Sequence, residues 1–289
     1  MIKPKILITG ITGFVGLHLL EEIKKKKLEQ QYDFRVLLRK PIILPNFIQI
    51  FKGDLRNLNV LHSALEESNI IIHLASILDS SNKNLQHVNI KSSANIINTM
   101  KQDSKIIFLS SITVNYQDKT KYSNSKLVVE NLIKKTCKHY TIIRPSWIYG
   151  NNSRSFEKLL SLIKQSLFIP IIKNKIQPVF VNDISKIILD SIEQYDCQII
   201  EIGGEKIEYK NFVKVIAHYF KKKPIIVILP FAFFKLIYQI FKIFRIKILT
   251  KDSLIDFKHE TNINLELLYE KYKIKPKNIQ EILKEDLIK

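Results

Sequence analysis

Tyr122 and Lys126 stand four residues apart in Tyr122-Ser123-Asn124-Ser125-Lys126, and Ser111 closes an apolar run eleven residues before the tyrosine. That spacing puts the phenol and the ammonium on one face of a helix. An ammonium beside a phenol favours the phenolate and lowers its pKa, giving a proton-transfer group that can work near neutral pH. A serine hydroxyl at a strand end can then hydrogen-bond an oxygen that changes between carbonyl and alcohol. Tyrosine and lysine at this spacing also arise by chance on exposed helices, so the pair gains weight only beside a second feature.

That feature is a glycine cluster. Only seven glycines occur in 289 residues, yet Gly10, Gly13 and Gly16 fall together in Thr9-Gly10-Ile11-Thr12-Gly13-Phe14-Val15-Gly16. Pro4 to Ile8 reads as a short buried strand and Phe14 to Lys27 as a helix, so the glycines mark a strand-to-helix junction. Backbone N–H groups there would face a pyrophosphate. Glycine suits the tight turn, the approach of the phosphates and the packing of helix on strand, and the helix N-terminus favours the anion.

The elements that must position these groups follow a regular order. Apolar runs near 5–9, 34–38, 48–51, 70–74, 105–110, 140–143 and 198–202 alternate with helical patterns, predicting an α/β, doubly wound parallel sheet of Rossmann type with its ligand at the strands' C-terminal edge. From residue 203 onward the pattern is mostly helical. We expect a cofactor-binding domain over 1–170, with 178–202 contributing to it, and a smaller, mostly helical substrate domain over 171–289.

The net charge of +19 comes from forty lysines and only six arginines among 46 basic residues. The lysines are scattered and not interleaved with exposed aromatics, which argues against a nucleic-acid partner. Lys24-Lys25-Lys26-Lys27 reads as a solvated helix end that complements the dipole. Cys137 and Cys197 show no metal-ligand spacing, the histidines are likewise scattered, and no metal is expected; a reducing, cytoplasmic compartment fits. The N-terminus lacks signal-peptide architecture, and no apolar run is long enough to span a membrane. The stretch 231–249 mixes large apolar residues with Lys235, Lys242, Arg245 and Lys247. It reads first as a helix covering its own core or a dimer contact, with contact to the inner face of an anionic membrane left open.

With the glycine turn, Gly53-Asp54-Leu55, Ile72-His73-Leu74-Ala75-Ser76, Val88-Asn89, the Ser-Tyr-Lys set, Arg144-Pro145-Ser146-Trp147-Ile148-Tyr149-Gly150 and Pro178-Val179-Phe180-Val181-Asn182-Asp183 in place, the chain resembles the extended short-chain dehydrogenase/reductase family, the NAD-dependent epimerases and dehydratases. The segment from Phe108 to Asn115 and Tyr272-Lys273-Ile274-Lys275-Pro276 resemble the bacterial UDP-N-acetylhexosamine 4-epimerases and 4-ketoreductases of surface polysaccharide and O-antigen pathways.

The resemblance implies catalytic roles for Tyr122 as acid or base, for Lys126 on the nicotinamide ribose and for Ser111 on the substrate. It implies cofactor contacts from Gly10, Thr12, Gly13, Phe14, Val15 and Gly16, from Asp54 and Leu55 at the adenine, from Leu74, Ala75 and Ser76, and from Pro145. Ser111, Trp147 and Arg154 would meet the substrate. An epimerase would retain its cofactor; a ketoreductase would consume NADPH. A cofactor-binding accessory subunit without turnover is the second reading.

Three departures from the family's pattern stand out. Asn151 replaces the proline after Tyr-Gly, Gln177-Pro178 replaces an arginine-bearing, diphosphate-contacting segment and leaves Arg154, Lys173 and Lys175 as substitutes, and Asn115-Tyr116 replaces Tyr-Gly. At the end of the second strand, Arg39 and Lys40 suit the 2′-phosphate of NADP, which is therefore preferred over NAD(H). Several residues also carry plainer readings. Asp54 could cap a helix starting near Leu55. His73 reads as a satisfied core histidine, Asn89 as a tie between helix and loop, and Trp147 as either core or pocket lining.

Overall fold

The computed structural model describes residues 2–40, 42–243, 255 and 258–285. In the chain's first unit, residues 1–114, 119–145 and 184–201, strands β1 (Lys5–Thr9), β2 (Asp33–Leu38), β3 (Ile48–Lys52), β4 (Ile70–His73), β5 (Lys105–Leu109) and β6 (His139–Pro145) build most of one sheet. The second unit, residues 115–118, 146–183 and 202–289, carries the short strands β7 (Ile148–Tyr149), β8 (Phe168–Ile171), β9 (Lys175–Ile176) and β10 (Val179–Phe180). The seventh strand of the large sheet is β11 (Gln198–Ile202), followed by β12 (Ile207–Glu208) and β13 (Ile225–Ile228).

The large sheet has the order β11-β6-β5-β4-β1-β2-β3, with neighbours from β6 to β3 paired in parallel. Its central strands are continuous isoleucine and leucine runs because both faces are covered: Ile6, Leu7, Ile8, Ile71, Ile72, Ile106 and Ile107 are all fully buried. All seven strands anticipated from the apolar runs are present. The chain order reverses between β1 and β4, so the crevice beyond their C-terminal ends is the topological switch point, where ligands of open parallel sheets bind.

Helices α1 (Phe14–Lys25), α2 (Leu58–Leu65), α3 (Ser92–Thr99) and α4 (Lys121–Thr136) connect the strands of the first unit. Helices α5 (Arg154–Gln165), α6 (Val181–Asp190), α7 (Tyr209–Tyr219) and α8 (Phe231–Ile243) follow. The division differs from the boundary at 170 expected from sequence. Residues 146–170 group with the second unit, and only 184–201 return to the first. The reason is a pairing distant in sequence: β7 pairs with β10 rather than with the large sheet.

Among the described residues, no helix is long and apolar enough to cross a membrane, and no group of three histidine, cysteine or acidic side chains could hold a metal ion. Both cysteines are free thiols. The stretch 231–249 begins as α8, and its residues 244–249 lie outside the described ones.

Candidate functional site

The glycine turn is built by close backbone packing. Gly10 adopts φ +80°, and a Cβ there would lie 2.6 Å from the Ala75 nitrogen; one on Gly16 would lie 2.4 Å from the Gly10 carbonyl oxygen. Alanine fits neither place. Gly13, by contrast, would meet only that same carbonyl, at 3.2 Å, and it is exposed with Thr12 beside it. The turn closes through Gly13 N–H donating to the Gly10 carbonyl at 2.9 Å. Gly13 is the N-cap of α1, offers no side-chain cap, and is followed by no acidic residue in the first turn. Free helix N–H groups, space where a Cβ would stand and no competing carboxylate together fit a pyrophosphate. Phe14 is half-buried and packs edge-on against His18 at 5.5 Å, while Val15 is buried.

The loop after β4 runs along the other side of the switch point. Leu74, Ala75 and Ser76 are half-buried there, and the Ser76 hydroxyl oxygen is buried without a hydrogen-bond partner. A buried polar atom left unpaired is costly, and a ligand hydroxyl or phosphate would satisfy it.

Arg39 and Lys40 are exposed just past β2. Asp54, after β3, accepts from the Arg56 backbone N–H at 3.0 Å and from its Nε at 2.7 Å. The hydrogen bond from Arg56, with smaller help from the charges of Arg56 and Arg39, holds the Asp54 carboxyl below the usual carboxylate range. Asp54 does not cap a helix. Helix α2 starts at Leu58, and Asn57 is its N-cap, accepting from Asn59 and Val60 N–H, because the turn from Asp54 to Asn57 intervenes. Leu55 packs into the hydrophobic core.

Helix α4 carries both Tyr122 and Lys126. Its N-cap Thr120 accepts from Ser123 N–H at 3.0 Å, and Tyr122 N–H donates to the Ser80 hydroxyl at 3.2 Å. Lys126, only 3% exposed, donates to the Leu109 carbonyl at 2.7 Å, and its Nζ lies 4.6 Å from the Phe108 ring centroid and 5.8 Å from that of the half-buried Tyr122. Burial pushes the Lys126 pKa down to about 7, against the opposing charge of Glu130. Ser111, half-buried two residues after Leu109, accepts from the Thr113 hydroxyl at 3.0 Å. The structure thus brings Lys126 to both Tyr122 and the strand end that carries Ser111.

Reading by motif missed Glu130, and it took Arg144 only as part of the Arg144–Gly150 segment, without a role. Glu130 is fully buried one turn beyond Lys126 and accepts from Ser110 Oγ at 2.5 Å and from Arg144 Nε and Nη2 at 3.0 and 2.6 Å. Arg144 also donates to Glu201 at 3.1 Å. The signal was available: Tyr122, Lys126 and Glu130 continue a single four-residue spacing along one helix face. Pro145, next to Arg144, is buried at the end of β6.

Two further readings agree with the structure. His73 is fully buried between Thr9 Oγ1 and Ser93 Oγ, both at 2.7 Å, and burial lowers its pKa to about 3. Asn89 sits in a π-helical turn, His87–Lys91, and ties Ile77 N–H and C=O to the Ser125 hydroxyl at 2.8, 2.9 and 3.1 Å.

In the second unit, Trp147 is half-buried in an aromatic cluster, 5.6 Å from Phe212 and 6.3 Å from Phe156, with its indole N–H on Ser155 at 2.9 Å. Arg154 is exposed at the first turn of α5, and Lys173 and Lys175 are exposed as well. Gln177 is a clamp: it receives Ile263 N–H at 2.6 Å, donates to the Ile263 carbonyl at 2.9 Å, and its own N–H reaches Thr261 Oγ1 at 3.0 Å. Tyr116 stacks on His259 at 4.6 Å.

The profile of the NAD dependent epimerase/dehydratase family matches residues 6–203. A UDP-glucose 4-epimerase of Vibrio cholerae is 26% identical over 223 residues, 66% of this chain and 67% of that protein. A Dictyostelium discoideum protein named as NADH dehydrogenase [ubiquinone] 1 alpha subcomplex subunit 9 is 25% identical over 69% of this chain, and the match spans 59% of its length. Among solved structures, a UDP-glucose 4-epimerase of Thermotoga maritima with UDP-glucose aligns over 97% of this chain and 96% of that one, with a TM-score of 0.72 at 16% identity. A dTDP-4-dehydrorhamnose reductase of Bacillus anthracis in complex with NADP aligns over 97% of both chains, with a TM-score of 0.70 at 18% identity. With that profile covering most of the chain, this protein belongs to the NAD dependent epimerase/dehydratase family.

Proposed function

We propose that the protein is an NAD(P)-dependent oxidoreductase or epimerase acting at C4 of a nucleotide sugar, of the UDP-N-acetylhexosamine type. One observation carries the reading: the Tyr122–Lys126 face of α4 is fastened to the C-terminal end of β5, while the glycine turn occupies the C-terminal end of β1. One strand lies between them in the sheet, a separation of about 10 Å. A dinucleotide with its pyrophosphate at the turn reaches that far.

The turn's N–H groups hold the pyrophosphate, Ser76 offers its unpaired hydroxyl, and Arg39 binds a 2′-phosphate, which makes NADP the preferred form. When bound, the nicotinamide supplies the hydride acceptor or donor. Tyr122 exchanges a proton with the oxygen on the reacting carbon, and the Lys126 cation favours its phenolate. Ser111 hydrogen-bonds the same oxygen. Within the second unit Gln177 acts as a clamp rather than a phosphate ligand.

The relative named as UDP-glucose 4-epimerase supports the substrate class. The Dictyostelium relative, named as a subunit of a larger dehydrogenase, favours the accessory-subunit alternative. Purified protein incubated with UDP-hexosamines and UDP-4-keto sugars, with NADPH absorbance followed alongside product NMR, separates these. Isomerisation without net absorbance change identifies an epimerase, stoichiometric NADPH loss a ketoreductase, and cofactor binding without turnover an accessory subunit.

A further inference from the structure

One of the two-stranded sheets of the second unit, β13-β8, has one face that the core does not use. Strand β13 pairs in parallel with β8, Ile225 opposite Phe168 and Val227 opposite Pro170. Paired residues in neighbouring strands share a face, and alternate residues point the other way. Ile169 and Ile171 are each 2% exposed and turn inward, whereas Phe168 is 56%, Ile225 51% and Val227 36% exposed. A sheet with one face in water ordinarily carries polar residues there; this one carries aromatic and branched aliphatic side chains.

Immediately before β13 comes Lys221-Lys222-Lys223, all three exposed. Two residue steps of extended chain separate Lys223 from Ile225, so the ammonium run begins within about 7 Å of the apolar face. Helix α8 follows β13 and adds exposed Phe233 and Leu236.

We infer that this face docks on an anionic lipid surface, the aliphatic and aromatic side chains entering the interface while the lysines meet the headgroups. The charge pattern selects this occupant over a second copy of the chain. Lysine is depleted at the centre of protein interfaces, and two copies of a chain with net charge +19 would oppose their lysine runs. The membrane contact left open for 231–249 is thereby moved to residues 168–170 and 221–228, with only the start of α8 beside them.

The test uses the full chain and no enzymatic readout. It is sedimented with vesicles of phosphatidylcholine alone and of phosphatidylcholine mixed with phosphatidylglycerol. Binding to the mixed vesicles, weakened by salt, is the expected result. K221E/K222E/K223E should weaken it by about a hundredfold, at roughly fivefold per lysine removed, and I225S/V227S by about tenfold or more. A charge-reversed control elsewhere, K24E/K25E/K26E, should retain most of the binding, and unchanged thermal melts show that each variant is folded. Absence of binding to anionic vesicles overturns the inference. So does equal loss in the control variant, which would indicate diffuse attraction by the net charge. Self-association in the absence of lipid that I225S/V227S abolishes would assign the face to a second copy instead.

Discussion

The Lys126 ammonium donates to the Leu109 carbonyl at 2.7 Å, so the helix that carries Tyr122 is fastened to the strand end that carries Ser111. One buried cation sets the mutual position of the two groups proposed to act on substrate. Its energetic cost makes it testable without substrate.

Burial holds the Lys126 pKa near 7, against 10.5 for an ordinary lysine. Between those values the unfolded chain binds more protons than the folded one, so this residue makes stability rise with pH across that window and withholds that gain below it. Lys126→Met removes the effect. Its melting temperature should exceed that of the parent most at pH 6, and the difference should shrink as pH climbs towards 10. A difference independent of pH, measured by differential scanning fluorimetry without cofactor, would mean that Lys126 is not titrating in this range.

Glu130 supplies the buried opposite charge that favours the Lys126 cation, and through Ser110 it also fixes the residue before Ser111. Glu130→Gln keeps the shape and removes the charge. The Lys126 pKa should fall further, the Tyr122 phenolate should lose support, and the alkaline rise of kcat/KM for alcohol oxidation should move to higher pH with a loss of about tenfold at neutral pH. A uniform drop in kcat/KM with an unmoved pH profile would make Glu130 purely structural.

The glycines should separate into two classes. Gly16→Ala drives a Cβ to within 2.4 Å of a carbonyl oxygen and should cost about 3 kcal/mol or prevent folding. Gly13→Ala meets only one atom, at 3.2 Å, and should fold while weakening NADPH binding by about tenfold or more, because its Cβ occupies space proposed for phosphate. Thermal melts and NADPH fluorescence titrations check both halves. Gly13→Ala binding NADPH as tightly as the parent would remove the pyrophosphate from this turn.

Much of this architecture was legible in the chain. The central strands β1, β4 and β5 are near-continuous apolar runs, a pattern imposed where a sheet is buried on both faces, and the glycine turn reports a close approach that only glycine permits. Less legible were features that neither local motif nor apolar pattern fixes. Asn57 rather than Asp54 caps α2, because a turn whose length no local signal fixes separates them. The unit boundary falls after Pro145 because β7 finds β10, about thirty residues away in sequence. Gln177 reads as a lost arginine from its motif, yet its amide is spent on the backbone of Ile263, a contact spanning 86 residues. Glu130 repeats the spacing of Tyr122 and Lys126 on α4, but its partner Arg144 comes from strand β6.

Arg39 is exposed at the end of β2, close enough for its charge to lower the Asp54 pKa. A charged hydrogen bond to a 2′-phosphate is worth about 1.5–3 kcal/mol. Arg39→Ala should therefore weaken NADPH binding about tenfold to a hundredfold and leave NADH binding nearly unchanged, as read by fluorescence titration of the two cofactors. Equal losses for both would place Arg39 away from the ribose.

The central claim is that Tyr122 exchanges the proton, and Tyr122→Phe tests it with the least disturbance, since only the hydroxyl leaves. Turnover of UDP-hexosamines and their 4-keto forms should fall by about a hundredfold to ten-thousandfold while NADPH affinity and melting temperature stay within error of the parent. Turnover at the parental rate in that variant would contradict the account.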